Sequence, residues 1–172
     1  MANQKPPEVW LRGKIDSIPA LLQPVAHSLL QAREELNELV KDFPDGLLWI
    51  KPGGAASAGF HLQHLSGVLD RLFTYAEGLM LTEQQLIFLE AEGNPQQTNT
   101  TVAMLVKKFN LQVDKALKQL QILDENTLTE YRSVGRAQLP STVIGLLFHA
   151  AEHTMRHLGQ LIVTAKVVTS YK

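Results

Sequence analysis

The chain has 172 residues, 45% hydrophobic and 19% charged, with 16 Lys/Arg against 17 Asp/Glu and a formal net charge of −1. That composition suits one globular domain with a sizeable core and lacks the dense basic block of a nucleic-acid binder. No cysteine is present, so disulfides, iron–sulfur clusters, thiolate-bound zinc and a cysteine nucleophile are excluded, and any metal must be held by histidine or carboxylate.

The N-terminus, Met1-Ala-Asn-Gln-Lys-Pro-Pro-Glu8, has no apolar stretch of the signal-peptide kind, and no apolar run approaches the ~20 residues of a membrane span. The expectation is a soluble, cytoplasmic protein with neither membrane nor nucleic-acid partner. A single domain over 1–172 is expected, with residues 1–16 as an extended arm. Pro6 and Pro7 disfavour helix there, and Trp10 and Leu11 are free to pack on the body.

Ser17-Ile-Pro19 reads as a helix start, with apolar spacing through Leu22, Val25, Leu29, Leu36 and Val40, a slight bend at Pro24, and a stop at Pro44-Asp-Gly46. A loop over 47–56 follows. Ser57 caps a second helix carrying Leu62, Leu65, Leu69, Leu72, Phe73 and Ala76. Thr82-Glu-Gln-Gln85 is a capping-box pattern that opens a short third segment ending near Gly93-Asn-Pro95. A long helix is expected from Thr98 to Leu123, then an irregular stretch over 124–140 containing Gly135 and Pro140. The last helix begins near Ser141 and runs to about Val168. Strand signals are weak throughout. The pattern is that of an all-α protein, a four-helix bundle with a short extra helical segment.

Five of the six histidines fall in two helical stretches: His61 and His64 on the second helix, and His149, His153 and His157 on the last. Residues four apart on a helix are surface neighbours, so a His-x3-His pair can close on one ion if a third ligand arrives from elsewhere. At about 100° per residue, measured from an apolar centre near Leu147, Ala151, Leu158 and Ala165, His157 lies about 80° away, His153 about 120° and His149 about 160°. His153 and His157 therefore flank the buried stripe, and His149 faces solvent. His149 and His157 are also about 12 Å apart along the axis, too far to serve one ion with His153. On the second helix His61 falls within the apolar sector and His64 at its edge, and spacing does not choose between them. The zincin pattern His-Glu-x-x-His and the paired Glu-x-x-His motifs of di-iron bundles are both absent.

Ser57-Ala-Gly-Phe-His-Leu-Gln-His-Leu-Ser-Gly-Val-Leu-Asp70, together with His153-Thr-Met-Arg-His-Leu-Gly-Gln-Leu161, resembles the DinB-like superfamily, which includes bacillithiol- and mycothiol-dependent transferases. Leu158 departs from the family's usual Arg. The resemblance spans roughly 15–170 and implies a metal-binding four-helix bundle, commonly a homodimer. It implies the ligand triad His64, His153 and His157, with His61 and His149 as outer partners or alternate ligands. A divalent ion is implied, zinc or nickel foremost with iron also compatible, since imidazole suits all three.

Three neutral imidazoles leave an open coordination position, the layout of a catalytic ion. Family precedent then implies a metal-dependent S-transferase or hydrolase, in which a low-molecular-weight thiol attacks an electrophilic substrate. The alternative is a non-catalytic metal-binding or stress-response module. Glu152 and Asp70 are the nearest carboxylates in sequence that could orient a ligand N–H. Lys107, Lys108, Lys115 and Lys118 read as a solvated helix face, Trp10 and Trp49 as packing groups, and Arg132 and Arg136 as surface residues.

Overall fold

A computed structural model describes residues 6–94 and 99–171. Among them are five α-helices, α1 (Gln23–Leu39), α2 (Ala58–Ala76), α3 (Glu83–Glu90), α4 (Val102–Ile122) and α5 (Val143–Thr169), and a two-stranded antiparallel hairpin, β1 (Tyr131–Val134) with β2 (Leu139–Thr142). The four longer helices share one core: α2 packs most extensively on α5 and then on α4, and α1 packs on both α5 and α4. Leu29, Leu36, Leu65, Phe109, Leu147 and Leu158 are buried in it. Each such side chain contributes roughly 1.5–3 kcal/mol of burial free energy.

Helix starts are set by side-chain caps. Ser57 Oγ accepts from Phe60 N at 3.2 Å, Thr101 Oγ1 from Met104 N at 3.2 Å, and Thr142 Oγ1 from Gly145 N at 3.1 Å. The capping box forms reciprocally: Thr82 N donates to Gln85 Oε1 at 2.9 Å while Gln85 N donates to Thr82 Oγ1 at 3.2 Å. The first helix differs from expectation. Ser17 has φ 65 and caps nothing. A 3₁₀ turn, Ala20–Leu22, leads into α1 at Gln23, which places Pro24 in the first turn, where its missing N–H costs no helix hydrogen bond.

The arm is tied down by Val9, buried, and by Arg12, which grips Glu34 through two hydrogen bonds of 2.7 and 2.8 Å. Trp10 and Leu11 remain exposed, so the packing expected of them falls to Val9. Trp49 does pack, lying against Gly59, where a Cβ would sit 2.5 Å from its ring. Residues 1–5 of the arm, the Pro95 end of the third segment and the expected start at Thr98 lie outside the described residues.

The stretch expected to be irregular contains the hairpin. Its turn needs left-handed backbone at Gly135 (φ 68), which glycine supplies at no steric cost, and at Gln138 (φ 51), where a side chain has to be accommodated. Pro140 pairs opposite Ser133; a two-stranded ribbon leaves free edges, where a missing N–H is tolerated. Arg132 anchors the hairpin to the end of α2 by donating from Nε to Ala76 O at 2.8 Å.

Of the 19 residues of α2, 15 are buried. The helix runs through the protein rather than along its edge, so its polar residues have to find partners inside. Those partners build the site.

Candidate metal centre

α2 and α5 are the most closely packed pair of helices, and their histidines meet at the contact. His64 Nε2 and His153 Nε2 are 2.9 Å apart, and the His64 and His157 rings lie with centroids 4.3 Å apart. One nitrogen from each of His64, His153 and His157 falls within 4.8 Å of the others. All three are partly buried, as the helical positions flanking the apolar stripe require.

His64 is held from behind. Its Nδ1 lies 2.6 Å from Glu92 Oε2, and the other carboxylate oxygen, Oε1, accepts from Arg71 Nη1 at 2.7 Å. The Glu92 side chain is only 5% exposed and that of Arg71 9%. Burial pushes the Glu92 carboxyl upward in pKa, but hydrogen bonds from His64 and Arg71 outweigh it and hold the group below its ordinary range. An ionised Glu92 accepts from Nδ1–H, which fixes the tautomer and leaves the His64 Nε2 lone pair facing His153. Gly67 makes this possible: a Cβ there would lie 2.4 Å from Glu92 Oε1 and 2.7 Å from Arg71 Nη1.

His157 has a similar neighbour. The buried His61 places Nδ1 3.2 Å from His157 Nδ1. His61, His153 and His157 all have pKa values depressed to about 4, chiefly by burial and then by the nearby His64. Near neutral pH these rings are uncharged, which is the ligand-competent state. The donor set fits a divalent ion in chemistry and convergence. His153 Nδ1 is the one unsupported atom, being buried without a partner among the described residues. With Nε2 turned to an ion it would carry an unsatisfied N–H, costing about 1–3 kcal/mol.

The remaining expected residues fall outside this cluster. His149 is exposed and pairs with Glu152, its Nδ1 2.6 Å from Oε1; with His153 these two make a second, more open group of potential ligands. Glu152 also binds Arg156 at 2.6 Å and touches no member of the triad by hydrogen bond. Asp70 accepts from Lys115 Nζ at 2.8 Å and Gln85 Nε2 at 2.6 Å, so neither of the two carboxylates singled out in the sequence orients a triad histidine. Glu92 does, and it was missed because it lies 28 residues beyond His64, just past the end of α3, in no recognisable motif.

A family model of the DinB superfamily matches residues 28–161. No curated protein matches the chain. The matched span takes in both histidine stretches and most of the sequence, and the chain belongs to the DinB superfamily.

Proposed function

From that membership and the converging imidazoles, we propose that the chain is a divalent-metal-binding four-helix bundle of the DinB type, using His64, His153 and His157 as ligands. The observation that carries the reading is the placement of three imidazole nitrogens within 4.8 Å of one another, from two helices, with an anionic Glu92 behind His64. Glu92 and Arg71 hold the His64 ring and its tautomer. His61 plays the corresponding part for His157. Zinc and nickel suit this donor set, and iron is compatible with it.

When bound, such an ion supplies Lewis acidity and lowers the pKa of a water or thiol at its open position. A cavity of about 570 Å³ borders His61 and Arg156 and is lined further by Gly159, Val163 and Thr164. It reaches the cluster through His61 and not through the three proposed ligands, so the reading of an open, reactive site, of the metal-dependent S-transferase or hydrolase kind, rests on the three-imidazole donor set. Arg156 borders it with its charge paired to Glu152 and its remaining N–H donors available to a polar substrate group. The homodimer expectation rests on the family alone, and sedimentation would test it.

Elemental analysis of untagged protein prepared without chelator tests the metal reading. About one divalent ion per chain is expected, retained in His27→Ala and lost in His64→Ala and His153→Ala. A wild type that carries no ion and takes up neither Zn²⁺ nor Ni²⁺ would overturn it.

A further inference from the structure

A second cavity, of about 440 Å³, lies between α2, α3 and α4. That volume is in the range of small-molecule sites. Its lining differs from that of the histidine cluster: Arg71, Lys108 and Lys115 supply positive charge, Asp70 is the one carboxylate, and Leu79, Met80 and Phe88 supply apolar surface. All four lysines of α4 are exposed, as expected of a solvated face, and Lys108 and Lys115 also border this cavity.

The cavity carries three cationic side chains against one carboxylate, its other acceptors being neutral hydroxyls and amides. Both Asp70 oxygens are occupied, Oδ1 by Lys115 and Oδ2 by Gln85. Arg71 has five N–H donors, and Glu92 Oε1 is the sole hydrogen-bond acceptor it meets among the described residues. Gln112 Nε2 is buried and makes no hydrogen bond of good geometry there, although it lies near enough to Asp70 to help lower the pKa of that carboxyl. Among the described residues Lys108 has no carboxylate within ion-pair distance; its ammonium sits 3.3 Å from the centroid of the Phe88 ring. Burial lowers the Lys108 pKa, with Asp70 and Glu92 partly opposing the shift. Once Arg71 is matched to Glu92 and Lys115 to Asp70, Lys108 remains the unmatched charge. A buried amide donor is costly without an acceptor, and the exposed Lys108 side chain places a cation at the same cavity.

We propose that this cavity is a binding site for a small organic carboxylate, with Lys108, Gln112 and the free edge of Arg71 as donors to the carboxylate and Phe88, Leu79 and Met80 against its apolar part. The ligand supplies what the cavity lacks: two acceptor oxygens, one negative charge and a short hydrocarbon body. A cation or a neutral alcohol of the same length supplies no such match. No proposed metal ligand lines this cavity, and the two sites touch only through Gly67 and Arg71, whose Nη1 is held by Glu92.

The test is an NMR titration of the full-length ¹⁵N-labelled protein, following the Gln112 side-chain amide. Hexanoate and benzoate are the probes, with hexanol, hexylamine and inorganic phosphate as comparators. Saturable shifts of the Gln112 amide with the two carboxylates, absent with hexanol and hexylamine, are expected. Lys108→Gln should weaken hexanoate binding by about tenfold or more, the loss of one charged hydrogen bond. Gln112→Glu, which replaces a donor by a like charge and is followed through the backbone amides of Lys108 and Lys115, should abolish it even if Lys108→Gln fails to fold. His64→Ala should leave it unchanged, which separates this site from the metal reading. The proposal is overturned if no carboxylate saturates at millimolar concentration, if hexanol or hexylamine binds equally, if phosphate alone binds, or if folded Lys108→Gln or Gln112→Glu binds hexanoate as the wild type does.

Discussion

Glu92→Gln is the substitution that separates an oriented metal ligand from a merely buried histidine. In the wild type one carboxylate accepts two donors, His64 Nδ1 at 2.6 Å and Arg71 Nη1 at 2.7 Å. Glutamine keeps the shape but offers one oxygen, so its NH₂ must face one of those donors. Either Arg71 loses its charge partner, or His64 is free to adopt the tautomer that protonates Nε2. Breaking a buried pair by removing one partner costs about 3–5 kcal/mol, and the isosteric amide should fall near the lower end of that range. A domain of this size loses about 2–4 °C per kcal/mol, so melting should drop by roughly 6–12 °C. Loss of such a supporting partner costs about 10–100-fold in metal affinity. Zn²⁺ competition against a chromogenic chelator at pH 7.5, with melting curves of the metal-free protein, reads both effects. A Glu92→Gln protein that binds Zn²⁺ as tightly as wild type, while His153→Ala does not bind it, would refute the orienting role.

Gly67→Ala should reproduce much of the Glu92→Gln phenotype without altering a charge, since the new Cβ would lie within 2.4–2.7 Å of Glu92, Arg71 and Phe88; a lowered melting temperature together with weaker Zn²⁺ binding is expected, and loss of neither would count against the cradle. Stability should also respond to acid. His61, His153 and His157 titrate near 4 in the fold against 6.5 when free, so the unfolded chain takes up protons first. Their contribution is complete above pH 6.5 and is lost as pH falls from there to about 4. Urea midpoints of the metal-free protein at pH 7 and pH 5 check this, and an equal or higher midpoint at pH 5 would contradict it. In the core, Phe109→Ala should cost about 3–5 kcal/mol, measured by urea unfolding, because the side chain is wholly buried; a cost under about 1 kcal/mol would mean that the four helices do not share the core described.

Helix positions were legible where one segment carries its own signal. Ser57, Thr82 and Gln85 cap as their local order suggests, and the wheel on α5 correctly sets Leu147 and Leu158 inside, His153 and His157 at the margin and His149 outside. Misreadings arose where partners decide the outcome. Pro140 suppresses a strand assignment in isolation, yet the pairing of Ser133 with Pro140 on a two-stranded ribbon tolerates it. Trp10 looks like an anchor because it is large and apolar, but Val9 faces α1, where its N–H donates to Gln31. Ser17 has the chemistry of a cap, but its left-handed backbone puts it outside the helix.

The site divides along the same line. Periodicity tells which face of a helix a residue occupies, and so it could bring His153 and His157 to the boundary of α5 and His64 to that of α2. It carries no information about which residue of a distant segment fills the space behind them. Glu92 was hidden for that reason, and Asp70, closer in sequence to His64, was the wrong substitute. One local trace of the pairing does exist. Gly67 interrupts α2 one turn after His64 and one turn before Arg71, at a position where glycine costs about 1 kcal/mol relative to alanine. A glycine buried mid-helix between a histidine and an arginine marks the close approach of another group, and the group best able to satisfy both is a carboxylate. Read that way, α2 asks for an acid at that height without naming it, and the acid that answers is placed by the short α3, a helix that buries none of its own residues. The role of α3 is then to return the chain to α2 with Glu92 at the level of Gly67, so a change in its length by one residue, which would rotate Glu92 by about 100°, should impair the histidine site more than the fold.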